Sequence, residues 1–130
     1  MDLQQNKKDA ATPKKIPTGI EGFDEITEGG LPQGRTTLIM GGPGSGKTIF
    51  ALQTLVNGAS QWGEPGILVA FEESSHQIAK NAASFGWNFS RLTKGQGKRG
   101  VPLLFFLDAR LSPDTTKAGT FDLTSLLAVL

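Results

Sequence analysis

Hydrophobic positions along the chain fall into two alternating patterns. Residues 67–71 are a short apolar run, and 103–107 is a second, ending in Asp108; 36–40 also reads as a strand. Continuous runs of this length predict strands buried on both faces of a parallel sheet. Between and around them the apolar spacing turns helical. Ile20, Phe23 and Ile26 share one face of a short helix that Thr18 could cap, with Glu21 completing a capping box, and Gly29-Gly30 ends it. Ile49, Leu52, Val56 and Ala59 mark a second helix. Ser74 starts a third, with Ile78, Ala82 and Phe85 inward and Gly86 at its end. Leu123, Leu126, Leu127 and Leu130 mark a fourth, over 121–130.

Polar and glycine-rich stretches fill the gaps. Residues 31–34 and 62–66 read as turns, and 94–100 and 111–120 as loops. The order helix, strand, helix, strand, helix, strand, helix predicts an α/β fold with a mainly parallel central sheet. Residues 1–15 are polar and broken by Pro13, and read as a disordered N-terminal tail before a domain over 16–130. The last helix has no capping signal, so the domain is expected to be partial, cut inside that helix.

Composition narrows the chemistry. The 130 residues are 38% hydrophobic and 19% charged, with a formal net charge of +1. Such a chain is expected to be globular and cytoplasmic, without a membrane segment, and its charge gives no case for nucleic acid as a partner. The cysteine count is zero, which removes disulfides, thiolate metal sites and cysteine nucleophiles. The single histidine, His76, supports neither a histidine-rich metal site nor a Ser-His pair. Trp87 is expected to pack rather than stack on a base, and Lys94, Lys98 and Arg99 to lie in a solvated loop.

Glycine is the outlier, with 17 residues where average usage gives about 9. Several of them belong to Gly41-Gly42-Pro43-Gly44-Ser45-Gly46-Lys47-Thr48, a match to G-x-x-x-x-G-K-[ST] between a predicted strand and a predicted helix. Wrapping a loop around phosphate oxygens with amide N–H groups pointing inward needs glycine backbone freedom. The following helix adds its N-terminal dipole and free N–H groups. The candidate nucleotide-binding residues are Gly42, Pro43, Gly44, Ser45, Gly46, Lys47, Thr48 and the adjoining Ile49. Lys47 reaches the β and γ phosphates, and the Thr48 hydroxyl is a ligand for Mg²⁺, so the ligand implied is ATP with Mg²⁺.

Ligands in α/β sheets sit at the carboxyl ends of strands. The run 67–71 ends there in Glu72-Glu73, and one of these carboxylates could orient and deprotonate a water. An acidic helix start would look the same. Asp108 also follows a strand, and its role stays open.

Together with the glycine-rich loop, Ile20-Glu21-Gly22-Phe23-Asp24, Gly29-Gly30-Leu31-Pro32, Phe71-Glu72-Glu73, Lys80-Asn81-Ala82 and Ser84-Phe85-Gly86-Trp87 occur in order. This series resembles the KaiC family of RecA-like P-loop ATPases over about 16–130, in the first of that family's two ATPase domains. The resemblance implies hexameric rings with ATP between subunits, Glu72 as the general base with Glu73 in support, and Ser84 close to the nucleotide. It also implies clock or signalling proteins as partners, and the label serine/threonine kinase that the family carries for autophosphorylation by a second domain. The family's Walker B strand would follow the helix over 121–130, so this chain stops before it, and activity is expected of the intact ring rather than of this stretch. Two other classes fit the same loop: a DNA recombinase or helicase motor, and a nucleotide-binding or interaction fragment without activity.

Overall fold

The computed structural model of the protein describes residues 13–95 and 100–109. They fall into two compact units that divide between Lys47 and Thr48.

In the first unit, strand β1 (Lys15–Ile16) pairs antiparallel with β2 (Leu31–Pro32). The Gln33 N–H donates to the Lys14 carbonyl at 2.8 Å beside that pair. Lys14 and Lys15, expected in the tail, are therefore held by main-chain bonds. The helix α1 (Phe23–Ile26) lies between these strands, and its N-cap is Gly22 rather than Thr18. Thr18 is instead almost fully buried, at 1% exposure. Its N–H and hydroxyl both donate to Asp24, at 2.9 and 2.7 Å, and the Gly19 N–H donates to the other carboxylate oxygen at 2.8 Å. The expected capping box fails because Asp24, six residues on, offers two acceptors where a serine or threonine cap satisfies one orphan donor. Ile26, expected on an inner face, is 80% exposed.

Gly30 fixes the return of the chain. Its φ of +99° lies in a region that side chains avoid. A Cβ there would stand 2.1 Å from the Ile16 carbonyl oxygen, so only glycine lets the β2 segment close on β1.

The strand expected over 36–40 does not form. These residues belong to neither sheet, and Leu38 and Met40 are 79% and 82% exposed. An apolar run specifies a strand only when a neighbouring strand takes its N–H and C=O groups, and among the described residues none pairs with it.

The second unit holds a parallel pair, β3 (Gly66–Ala70) and β4 (Leu104–Asp108), in the register Gly66 to Leu104 and Ala70 to Asp108. The expected parallel pairing is present. One face carries Leu68, Ala70, Leu104 and Phe106, which pack with Leu52 and Val56 of α2 (Lys47–Asn57) and Ile78 and Ala82 of α3 (Ser75–Ala82). Burying a side chain the size of Leu52, which is fully enclosed, stabilises by roughly 1.5–3 kcal/mol. The other face is not covered as the runs predict: Ile67 and Phe105 are 48% and 45% exposed. Among the described residues, helices pack on one side alone.

Helix α2 buries Leu52 and Val56, and the turn that continues it buries Ala59, as their spacing predicts. It runs on through a π-helical turn, Gly58–Trp62, to Gly63 in the left-handed region at φ 68°, so helix occupies residue 62 of the expected turn. Gly66 lets helix and sheet approach, since a Cβ there would lie 2.7 Å from the Leu55 Cδ2. Ser74 caps α3 by accepting the Gln77 N–H at 3.2 Å, as expected. The helix tightens into a 3-10 turn, Ala83–Phe85, and stops at Gly86 with φ 75°. Phe85, expected inward, is 53% exposed but stacks on Trp87, which packs against the core as expected.

A fourth helix, α4 (Phe89–Thr93), was not evident from apolar spacing. Asn88 caps it by accepting the Arg91 N–H at 3.1 Å. His76 is exposed on α3. Lys98, Arg99, the loop over 111–120 and the helix over 121–130 lie outside the described residues.

Candidate phosphate-binding site

The glycine-rich loop is an exposed turn that closes on its own lysine. Gly44 and Gly46 have φ of +75° and +85°, positions that L side chains rarely adopt. Both lie between Gly42 and Lys47, where α2 begins. The Ser45 N–H donates to the Gly42 carbonyl at 3.3 Å, closing the turn. Pro43 needs no N–H partner at this turn.

Lys47, first residue of α2, sends its ammonium back into the loop. The Nζ donates to the Gly41 carbonyl at 2.7 Å, to the Gly42 carbonyl at 2.8 Å and to the Ser45 hydroxyl at 3.3 Å. A cation is thus fixed over the loop beside the opening turn of a helix. Early N–H groups of a helix have no intrahelical acceptor, and the dipole favours an anion there. Thr48, exposed, and Ile49, half-buried, follow on that first turn. This donor set fits a polyphosphate: a cation, free amide N–H groups, and a loop without side chains at Gly42, Gly44 and Gly46. It also fits Mg²⁺ carried with the phosphates, because that ion keeps several phosphate or water oxygens and needs few protein ligands; the Thr48 hydroxyl would be one such ligand.

Glu72 and Glu73 lie in the exposed bend directly after β3. Their neighbours Ser74 and Ser75 open α3, and both carboxylates are at the carboxyl end of the parallel pair, where the sheet order predicts ligand chemistry. Ser84 lies in the 3-10 turn after α3, exposed, and its hydroxyl donates to the Asn81 carbonyl at 2.9 Å. The structure thus brings Gly41, Gly42, Ser45 and Lys47 together in one unit. It places Glu72, Glu73 and Ser84 in the other, at the end of β3 and the end of α3.

Two relationships had no reliable signal in the sequence. The Gly41 contact with Ser45 and Lys47 depends on how the loop curls. The Asp108 carboxylate reaches the start of α3 across 33 positions, and only its place after a strand hinted at a role.

Comparison with known proteins covers nearly the same stretch as the structural reading. A family model described as "ATPase: KaiC" matches residues 16–130. The chain is 56% identical over 122 residues to the circadian clock oscillator protein KaiC of Thermostichus vulcanus, across 93% of this chain and 22% of that protein. It is 54% identical over 115 residues to the protein of the same description from Prochlorococcus marinus strain MIT 9313, across 88% and 22%. With the circadian clock protein KaiC2 of a Synechocystis species it shares 63% identity over 78 residues, across 60% and 14%. The chain therefore spans about a fifth of the length of the first two of these relatives.

Proposed function

The chain belongs to the KaiC family of ATPases, a RecA-like P-loop fold, and on that premise we propose that it binds ATP with Mg²⁺ at 41–49 and that the protein carrying it hydrolyses ATP by attack of water. The observation that carries this reading is the Lys47 ammonium fixed over a glycine loop at the start of α2. Gly42, Pro43, Gly44, Ser45, Gly46 and Ile49 complete the cradle.

The residues divide the work. Lys47 turns toward the β and γ phosphates and balances charge that builds on the transferring group. Amide N–H groups of the loop and of the first helical turn hold the remaining phosphate oxygens and fix their direction. Thr48 holds the metal through its hydroxyl; the ion, when bound, supplies further neutralisation of phosphate charge. Glu72 orients a water and accepts its proton as the oxygen attacks the γ-phosphorus and the bond to the β,γ-bridging oxygen breaks, leaving ADP and inorganic phosphate, and Glu73 supports that carboxylate. Ser84 contacts the nucleotide. The relatives are named as clock proteins, which supports clock or signalling proteins as partners. A homo-oligomeric ring, hexameric as in the family, and a cytoplasmic setting complete the proposal. Among the described residues no helix is long and apolar enough to cross a membrane.

Calorimetry and thermal melting of the chain with MgATP test the binding step. Bound nucleotide raises the melting temperature by mass action. Lys47→Ala is expected to lower affinity at least about tenfold, since it removes a charge-assisted contact. Absence of any MgATP effect on the folded wild-type chain would overturn the proposal.

A further inference from the structure

An ammonium group carries three N–H donors. In Lys47 all three are engaged inside the loop, by the Gly41 and Gly42 carbonyls and the Ser45 hydroxyl. The loop is shaped closely around this arrangement. A Cβ at Gly41 would stand 2.5 Å from the Ser45 Oγ, 3.1 Å from its Cβ and 3.8 Å from the Lys47 Cδ. Gly41 must lack a side chain for the Ser45 hydroxyl to lie where it does, while the lysine stem is at ordinary contact distance.

We propose that this is a latch: the empty loop holds its own lysine, and Ser45 is a positioning residue that sets how readily the ammonium is released to a polyphosphate. The inference rests on the phosphate-binding reading and adds to it a ground state that competes with ligand. A phosphate oxygen can be served by Lys47 only if a loop acceptor gives up a donor. The Ser45 contact, at 3.3 Å, is the longest of the three, so it opens first. The two carbonyls, at 2.7 and 2.8 Å, hold the ammonium in place meanwhile.

The sign of the effect follows. Ser45 bonds to Lys47 in the free loop and gives up that bond on ligation. Deleting the hydroxyl destabilises the free state more than the bound one, so binding tightens. A role for Ser45 as a direct phosphate contact has the opposite sign.

The experiment compares the wild-type chain with Ser45→Ala and Ser45→Thr. Lysine ammonium groups held by hydrogen bonds exchange their protons slowly and give an ammonium NMR signal. In the free wild-type protein the Lys47 signal is expected. In Ser45→Ala it weakens or broadens, and Ser45→Thr, which keeps a hydroxyl, restores it. MgATP affinity by calorimetry is expected to rise about two- to fivefold in Ser45→Ala and to return toward wild type in Ser45→Thr, the size expected for one weak, exposed hydrogen bond. An unchanged ammonium signal in Ser45→Ala overturns the latch, and so does weaker binding in that variant. The ammonium signal needs no nucleotide. A wild-type protein that shows the signal but binds no MgATP rejects the proposed function and the release step with it, whereas one that binds MgATP without the Ser45 effects rejects the latch alone.

Discussion

The carboxylate of Asp108, at the end of β4, accepts the backbone N–H of Ser75, first residue of α3, at 2.7 Å, and lies 3.3 Å from the Ser75 hydroxyl. Ser74 caps the same turn from within the helix through the Gln77 N–H. The start of α3, directly after Glu72 and Glu73, is thereby tied to the neighbouring strand by a side chain 33 positions away.

Asp108→Ala leaves the Ser75 N–H to water and removes the tie. The expected loss is about 0.5–2 kcal/mol of stability, the range for removing a helix cap. Asp108→Asn keeps one oxygen acceptor and should lose less. Urea denaturation of the two variants checks the order.

Gly30→Ala places a methyl group on the Ile16 carbonyl, at a φ that alanine resists. The β1–β2 pair must open or shift, at a cost of about 1–3 kcal/mol. Hydrogen exchange reads this directly: the Gln33 amide, which donates to the Lys14 carbonyl, should lose its protection.

Asp24 gives the first unit a pH dependence. Desolvation acts to raise its pKa, but the hydrogen bonds from the Thr18 N–H, the Thr18 hydroxyl and the Gly19 N–H outweigh it and hold the carboxyl below its ordinary value. A carboxylate whose folded pKa is depressed contributes stability that is fully present above its unfolded pKa, about 4. That contribution fades as pH falls through the lower folded value. Carbon NMR titration of the Asp24 carboxyl should show a midpoint below that of an unperturbed aspartate, and Asp24→Asn should flatten the acid limb of the stability profile.

Glu72→Gln retains size and hydrogen bonding but cannot take a proton. In the protein that carries this chain, MgATP affinity should stay within about twofold while kcat falls roughly 10²–10⁴-fold, the usual contribution of a general base. Single-turnover kinetics distinguish the two. Equal losses in Glu72→Gln and Glu73→Gln would remove the assignment.

Local rules were legible wherever a short segment decides its own shape. The glycines of 41–46, the Ser74 cap and the stop at Gly86 all depend on backbone freedom or on a side chain a few positions away. The buried face of α2 was legible too, because Leu52, Val56 and Ala59 recur at helical spacing. The residues 36–40 show the limit. Leu38, Ile39 and Met40 are apolar, yet a strand is a property of a pair, and the described residues supply no partner. Ile67 and Phe105 show the same limit for burial, since an apolar run does not say whether both faces are covered.

By itself, then, the sequence determined the glycine-rich loop, the helix that follows it, the parallel α/β class and the family, since each is written in adjacent residues or in an ordered series of motifs. Tertiary structure alone decided that Thr18 is buried against Asp24, that Gly30 must clear the Ile16 carbonyl, that Asp108 restrains α3, and that Lys47 rests on Gly41, Gly42 and Ser45. The physical reason is common to all four. Hydrogen bonds and steric contacts act over a few ångströms of space, and the distance along the chain between the partners does not enter their energy.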